Sequence, residues 1–242
     1  MDANSIRSSL STETAQDFYG RWAGLYDVIA RRTPGVPRLR GQAAAACRLE
    51  PGDTVVEMGC GTGANLPYLR EQVGPEGTVV GLDFTRPVVE RARAATAEYD
   101  NVHVVRGDAT QPPLADGTEP GGVEGEIDAL LATFVVGMLD DPAGAVDDWC
   151  DLVRPGGHVV LANAARSESW YAPPVNAVFK AVVVLSTPPT AKLRYENEPD
   201  RRLDAKIRTA HDRLRERSIA IADETHAFGV VRLSGGRLPK KR

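Results

Sequence analysis

The sequence predicts an α/β fold of the doubly wound kind, a mostly parallel sheet covered on both faces by helices. Three observations carry this reading. Short apolar strands alternate with helical patterns between residues 54 and 163, completing five strand–helix units. Such repetition requires parallel strands joined by right-handed crossovers. The first turn between strand and helix is rich in glycine, and two strand-like stretches then close the chain as an apparent antiparallel pair.

Taken in order, residues 1–16 read as a polar, frayed terminus. Phe18, Trp22, Leu25, Tyr26 and Ile29 form a helical stripe that ends at Thr33-Pro34-Gly35-Val36-Pro37, and an Ala-rich helix follows over 39–49. Strand 54–57 leads through the glycine loop to a helix reaching about residue 72. Strand 78–83 leads to helix 87–98, and strand 102–107 to an acidic, Pro/Gly-rich loop over 111–125. Strand 127–133 leads to helix 142–152, and strand 158–163 completes the series. Beyond residue 166 the pattern breaks: an apolar run over 175–185, a charged helix over 200–217, then strands over 219–224 and 228–233. The expected organisation is an N-terminal helical lid (1–50), a core (51–165), and an insertion with the terminal strand pair (166–242), all within one domain.

Bulk properties exclude several function classes. A net charge of −4 over 242 residues offers no basic field for nucleic acid. Apolar runs such as Ala129–Leu139 and Ala181–Leu185 fall short of the roughly 20 residues a membrane span takes. Cys47, Cys60 and Cys150 are scattered and odd in number, and no secretory segment opens the chain. They read as free thiols, and the protein as soluble and cytoplasmic.

The chemistry is concentrated in Glu57-Met58-Gly59-Cys60-Gly61-Thr62-Gly63. Glycines at alternate positions after a β-branched strand let backbone approach a ligand closely. In a doubly wound sheet this loop lies at the carboxyl ends of the strands, where ligands bind. The pattern Gly59-x-Gly61-x-x-Ala64, with Asp83 further on, also satisfies a relaxed dinucleotide fingerprint. Glu57 separates the two readings: a carboxylate before the loop repels a pyrophosphate and attracts a cationic amino group, as in S-adenosylmethionine (SAM). Asp108 at the third strand end and the terminal strand pair point the same way, and no Tyr-x-x-x-Lys occurs.

With these motifs in order, the chain resembles the class I SAM-dependent methyltransferases over roughly residues 18–163, which implies a Rossmann-like sheet of seven strands. Arg21-Trp22-Ala23-Gly24-Leu25-Tyr26-Asp27 and Arg154-Pro155-Gly156-Gly157 resemble segments of the ubiquinone/menaquinone-biosynthesis and phosphatidylethanolamine methyltransferase group. Phe134-Val135-Val136-Gly137 and Ala162-Asn163-Ala164 depart from the quinone enzymes, so the acceptor stays open.

Residue by residue, the resemblance implies that Glu57 holds the methionine amino group of SAM, directly or through water. Gly59, Gly61 and Gly63 admit the methionine and ribose. Asp83 takes both ribose hydroxyls, Phe84 packs on adenine, and Asp108 binds the adenine amino group beside the Ala109 backbone. Tyr26 points at the SAM carboxylate, with Trp22 on the same covering stripe, or both simply dock a helix on the core. Thr133 and Phe134 face the reactive methyl. Trp170 and Val175, with the apolar run that follows, line an acceptor pocket or merely cover the sheet.

The implied activity is direct methyl transfer from SAM to a small molecule, lipophilic acceptors such as a prenylated quinone or lipid included. A SAM-binding regulator without catalysis and an NAD-dependent oxidoreductase are the alternatives. None of His103, His158, His211 and His226 has the spacing of a general base. Asp140-Asp141-Pro142 reads as a helix cap rather than a metal site, and no metal is expected. No Asn/Asp-Pro-Pro-aromatic motif follows the fourth strand, which argues against nucleic acid bases as substrate. The tail Lys240-Lys241-Arg242 reads as a solubilising end; three charges would hold an anionic lipid only weakly.

Overall fold

A computed structural model describes residues 35–114, 126–186 and 199–240. Its elements are α1 (Val36–Ala46), β1 (Thr54–Met58), α2 (Leu66–Val73), β2 (Thr78–Asp83), α3 (Arg86–Ala95), β3 (Val102–Arg106), β4 (Ile127–Thr133) and a 3₁₀ turn at Val136–Met138. There follow α4 (Pro142–Leu152), β5 (Val153–Ala164), α5 (Ala172–Ser186), α6 (Pro199–Arg217), β6 (Ala220–His226) and β7 (Val231–Arg237).

The seven strands form one sheet in the order β3-β2-β1-β4-β5-β7-β6. The first five are mutually parallel, and β7 runs antiparallel to both of its neighbours, β5 and β6. The expected sheet is therefore present, and β7 is its reversed strand. The strand order reverses between β1 and β4, so the crevice at their carboxyl ends is the ligand position of such sheets.

Side-chain alternation along β1 sorts its residues between two cores. Val56 and Met58 join Leu130, Ala132, Val159, Leu161 and Trp149 on one face, closed by Ile207, Ala210 and Leu214 of α6. These last three form the apolar stripe of an otherwise charged helix. Val55 faces the opposite way, with Leu131 and Val160, against Ala43 and Ala44 of α1, Leu66 and Leu69 of α2, and Val89 and Ala92 of α3. Strand alternation carries Glu57 to this second face, fully buried.

Several boundaries differ from the sequence expectation, helix α3 ending at Ala95 and strand β7 at Arg237 among them, and three have a plain local reason. Helix α1 begins at Val36, because Gly35 at φ 89° enters the helix and Pro37 sits in the first turn, where a missing N–H costs nothing. Strand β5 begins at Val153: Val153 pairs with Ile127 before the register shifts, absorbing the Arg-Pro-Gly-Gly turn. Phe228 stands in the β6–β7 turn and not in a strand, since Ala227, Phe228 and Gly229 all take positive φ. The expected N-terminal stripe, including Trp22 and Tyr26, and the loop over 115–125 lie outside the described residues.

The three cysteines are free and buried, and burial pushes their thiols up, that of Cys150 to about 11. Among the described residues, no helix is long and apolar enough to cross a membrane.

Candidate functional site

The site begins with a carboxylate where the strand order reverses. Glu57 Oε1 accepts from Asn65 Nδ2 at 2.5 Å and from Thr133 Oγ1 at 3.1 Å, the latter bond joining β1 to β4 across the reversal. Asn65 Nδ2 also donates to Thr133 Oγ1 at 3.0 Å, and Arg40 Nη1 donates to Asn65 Oδ1 at 2.6 Å. Glu57 Oε2 is buried and has no partner among the described residues. Burial pushes the Glu57 carboxyl up to about 7, against the opposing pull of the Asn65 and Thr133 bonds and of Arg40; Asp83 adds to the rise.

The glycine loop wraps past this carboxylate, and its three glycines do different work. A side chain at Gly59 would bring its Cβ to 2.2 Å from Val135 Cγ2, so Gly59 makes room for the segment after β4. Gly63 lies close to Ala92 of α3. At Gly61, φ +56°, a Cβ would meet no atom of another described residue within 4 Å, its chain neighbours apart. Gly61 alone of the three faces open space, and its N–H donates to Asp83 Oδ2 at 3.1 Å.

Asp83 ends β2. Its Oδ1 accepts from Thr85 N at 2.9 Å, so each carboxylate oxygen has one backbone partner and room for more. Burial raises this carboxyl as well, and the Thr85 and Gly61 bonds oppose the rise. Phe84, the next residue, is exposed although apolar. Asp108 lies exposed beyond β3, its Oδ1 accepting from Thr110 N and Oγ1, each at 2.8 Å. The Ala109 carbonyl is taken by the Trp149 indole at 2.7 Å, which leaves the Ala109 N–H as the backbone group to offer.

After β4, Phe134 takes φ 60° with half of its surface exposed, while its N–H donates to Ala162 O at 2.8 Å. A left-handed aromatic residue is uncommon and strained. Here β5 holds it at the carboxyl edge. Thr133, expected to face the reactive methyl, has its hydroxyl bonded to Glu57 and Asn65. Trp170 is 92% exposed and packs edge-on against Tyr171, itself against Phe228. Val175 is half-buried on α5. Among the described residues, the ring contact of Trp170 is with Tyr171 and not with the glycine loop.

Arg40 and Asn65 were not evident from sequence. Asn65 occupies the N-cap of α2 and yet makes no capping bond. An Asn at a helix start, followed by Leu66-Pro67, was the available signal. The histidines stand apart: His158 is level with Ala129 near the strands' amino ends, and His211 is buried between Asn163 and Ser234. Asp141 caps α4, accepting from Gly144 N at 2.9 Å, as expected. Among the described residues no three His, Cys, Asp or Glu side chains are grouped to hold a metal.

The fold and the site together define a doubly wound α/β protein with buried acids and an open glycine at its strand reversal, where sheets of this kind take their ligands. Comparison with known proteins narrows this. Residues 56–159 match the family model of the methyltransferase domain. Phosphatidylethanolamine N-methyltransferase of Cereibacter sphaeroides is 32% identical over 167 residues, covering 68% of this chain and 73% of that one. Demethylmenaquinone methyltransferase of Staphylococcus aureus is 29% identical over 134 residues, covering 55% and 49%. A crystal structure of a SAM-dependent methyltransferase from Aquifex aeolicus superposes with a TM-score of 0.54 at 18% identity, over 85% of this chain and 93% of that one.

The chain belongs to the class I SAM-dependent methyltransferase family, and SAM is the cofactor that membership brings. Of several curated relatives it spans only 30 to 58% of the length.

Proposed function

We propose that the protein transfers a methyl group from SAM to a small acceptor, apolar ones such as a quinone precursor or a lipid included. One observation carries the reading: Glu57 Oε2, a fully buried carboxylate oxygen without a partner among the described residues, at the strand reversal beside an open glycine. Leaving such a group unpaired is costly. A cationic amino group is the partner its chemistry calls for, and a pyrophosphate is not.

The donor set fits SAM. Glu57 would take the ammonium, Gly61 would admit the ligand over its bare Cα, and Asp83 would accept from the ribose hydroxyls with the lone pairs its backbone bonds leave free. Phe84 would cover the adenine, with Asp108 and the Ala109 N–H at its edge. Gly59 and Gly63 would set the loop's shape. When bound, the sulfonium supplies an electrophilic methyl and departs as a neutral thioether. The chain's own part is to orient the reactants, which alone contributes on the order of 7–11 kcal/mol, and to exclude water. Tyr26 and Trp22 belong to that second task in this reading, with residues 51–165 as the cofactor-binding part. Phe134, Trp170 and Val175 belong to the acceptor side.

The relatives named for phosphatidylethanolamine and demethylmenaquinone support an apolar acceptor, and the net charge of −4 speaks against nucleic acid. A cytoplasmic location accords with the free, buried thiols. A second reading, a SAM-binding regulator without catalysis, is favoured by one observation: no histidine hydrogen-bonds to the Glu57 cluster among the described residues.

Calorimetry with SAM, S-adenosylhomocysteine and NAD(H) tests the site, and labelled SAM offered with quinones, lipids and small amines tests the chemistry. Micromolar SAM binding with label transfer to an apolar fraction is expected. NAD binding without SAM binding would end the reading, and SAM binding without transfer to any acceptor would favour the regulator.

A further inference from the structure

Asn65 is a cap that does not cap. An Asn at the start of a helix ordinarily accepts from the N–H of the second or third helical residue. Here the second is Pro67, which has no N–H, and the third, Tyr68, donates to the Asn65 backbone carbonyl at 2.9 Å. The side chain is released to reach across to β1 and β4. An amide can face either way, and Arg40 decides which. A guanidinium only donates, so its contact at 2.6 Å must be with the amide oxygen. That turns the NH₂ toward Glu57 Oε1 and Thr133 Oγ1. The Thr133 hydroxyl accepts from Asn65 and spends its one proton on the same Oε1. Among the described residues, both bonds made to the carboxylate thus fall on one oxygen, and Oε2 receives none.

We propose that Arg40 and Asn65 are positioning residues for Glu57: they occupy Oε1 from within the protein and reserve Oε2 for the ammonium at the amino-acid end of SAM. The inference rests on the role given to Glu57 above. It assigns selectivity to a residue of α1 that is 25 positions from Asn65, the side chain through which its hydrogen bond reaches Glu57.

The test compares two ligands that differ at that end. 5′-Methylthioadenosine has the nucleoside and the sulfur of SAM and lacks the amino-acid group. Calorimetry of Arg40→Met, Arg40→Lys and Asn65→Leu with both ligands is expected to show SAM weakened tenfold or more in Asn65→Leu and severalfold in Arg40→Met. Arg40→Lys, which can still donate to the amide oxygen, should recover most of the loss. Methylthioadenosine should stay within twofold throughout. Arg40 is only half-buried, so its variants keep the proposal testable if Asn65→Leu fails to fold. Equal weakening of both ligands, or unchanged SAM affinity in Arg40→Met, would overturn it while leaving SAM binding by the wild type intact. Failure of the wild type to bind SAM would overturn the role of Glu57 and this inference together.

Discussion

Replacing Glu57 by Gln should make the protein more stable and at the same time disable it. A buried carboxyl that titrates near 4.5 in the open chain and at about 7 when folded binds protons more readily in the native state across that interval. Native stability is therefore fully present below pH 4.5 and falls as pH rises to 7. The loss at pH 8 amounts to about 3 kcal/mol. Gln escapes it, because it carries no charge, and its Oε1 can still accept from Asn65 and Thr133. Its NH₂ group would take the place of the unpartnered Oε2, costing about 1–3 kcal/mol for a buried donor without acceptor. The net gain is about 0–2 kcal/mol at pH 8. In a domain of this size that raises the melting temperature by up to roughly 8 °C. At pH 4.5 the native wild-type side chain is itself neutral, so the advantage should vanish or reverse. Thermal unfolding of both proteins at pH 4.5 and 8 measures this. SAM affinity at pH 8 should fall at least tenfold in the variant. A melting difference that is the same at both pH values would refute the argument, since only the ionised carboxylate is held to be costly.

Asp83→Ala should weaken SAM binding more than tenfold without unfolding the chain, and unchanged affinity in calorimetry would remove its ribose role. Gly59→Ala places a methyl at 2.2 Å from Val135 Cγ2 and should depress the melting temperature sharply. Gly61→Ala meets only the strain of its left-handed backbone, about 1–2 kcal/mol, so it should fold and lose SAM affinity; circular dichroism with calorimetry separates the two. Burial holds His211 down at about 4, so the stability it contributes is present above pH 6.5 and lost as pH falls toward 4. His211→Gln should flatten acid unfolding over that interval; an unchanged profile would place the acid sensitivity elsewhere.

Much of the fold was legible because local signals agreed with one another. Ile127–Thr133 and Pro142–Leu152 have the bounds the sequence predicts: in each, the apolar period and the flanking cap or turn residues end together. Where the outcome depends on backbone handedness, apolar pattern says little. Phe228 reads as strand, yet it lies in a turn whose signal was Gly229. Glu57 and Asp83 were legible as candidates because an acid closing an apolar strand is costly without a partner. Arg40 was not, because its bond to Asn65 joins two helices through the tertiary fold. The division of labour among the glycines also waited on the structure, since Val135 and Ala92 reach them from distant elements.

The position of β7 has a consequence for how the chain is made. During synthesis β5 emerges early and β4 is ready beside it, but the other edge of β5 is covered only by β7, after every residue between Ala164 and Val231 has been added. Until then an apolar strand offers unpaired backbone groups to any neighbouring chain. β7, added after β6, is thus an internal strand, and the outer edge of the described sheet falls to β6, whose Asp223 and Glu224 place acids where a second sheet would otherwise dock. Completion of the sheet and protection from self-association are the same late event.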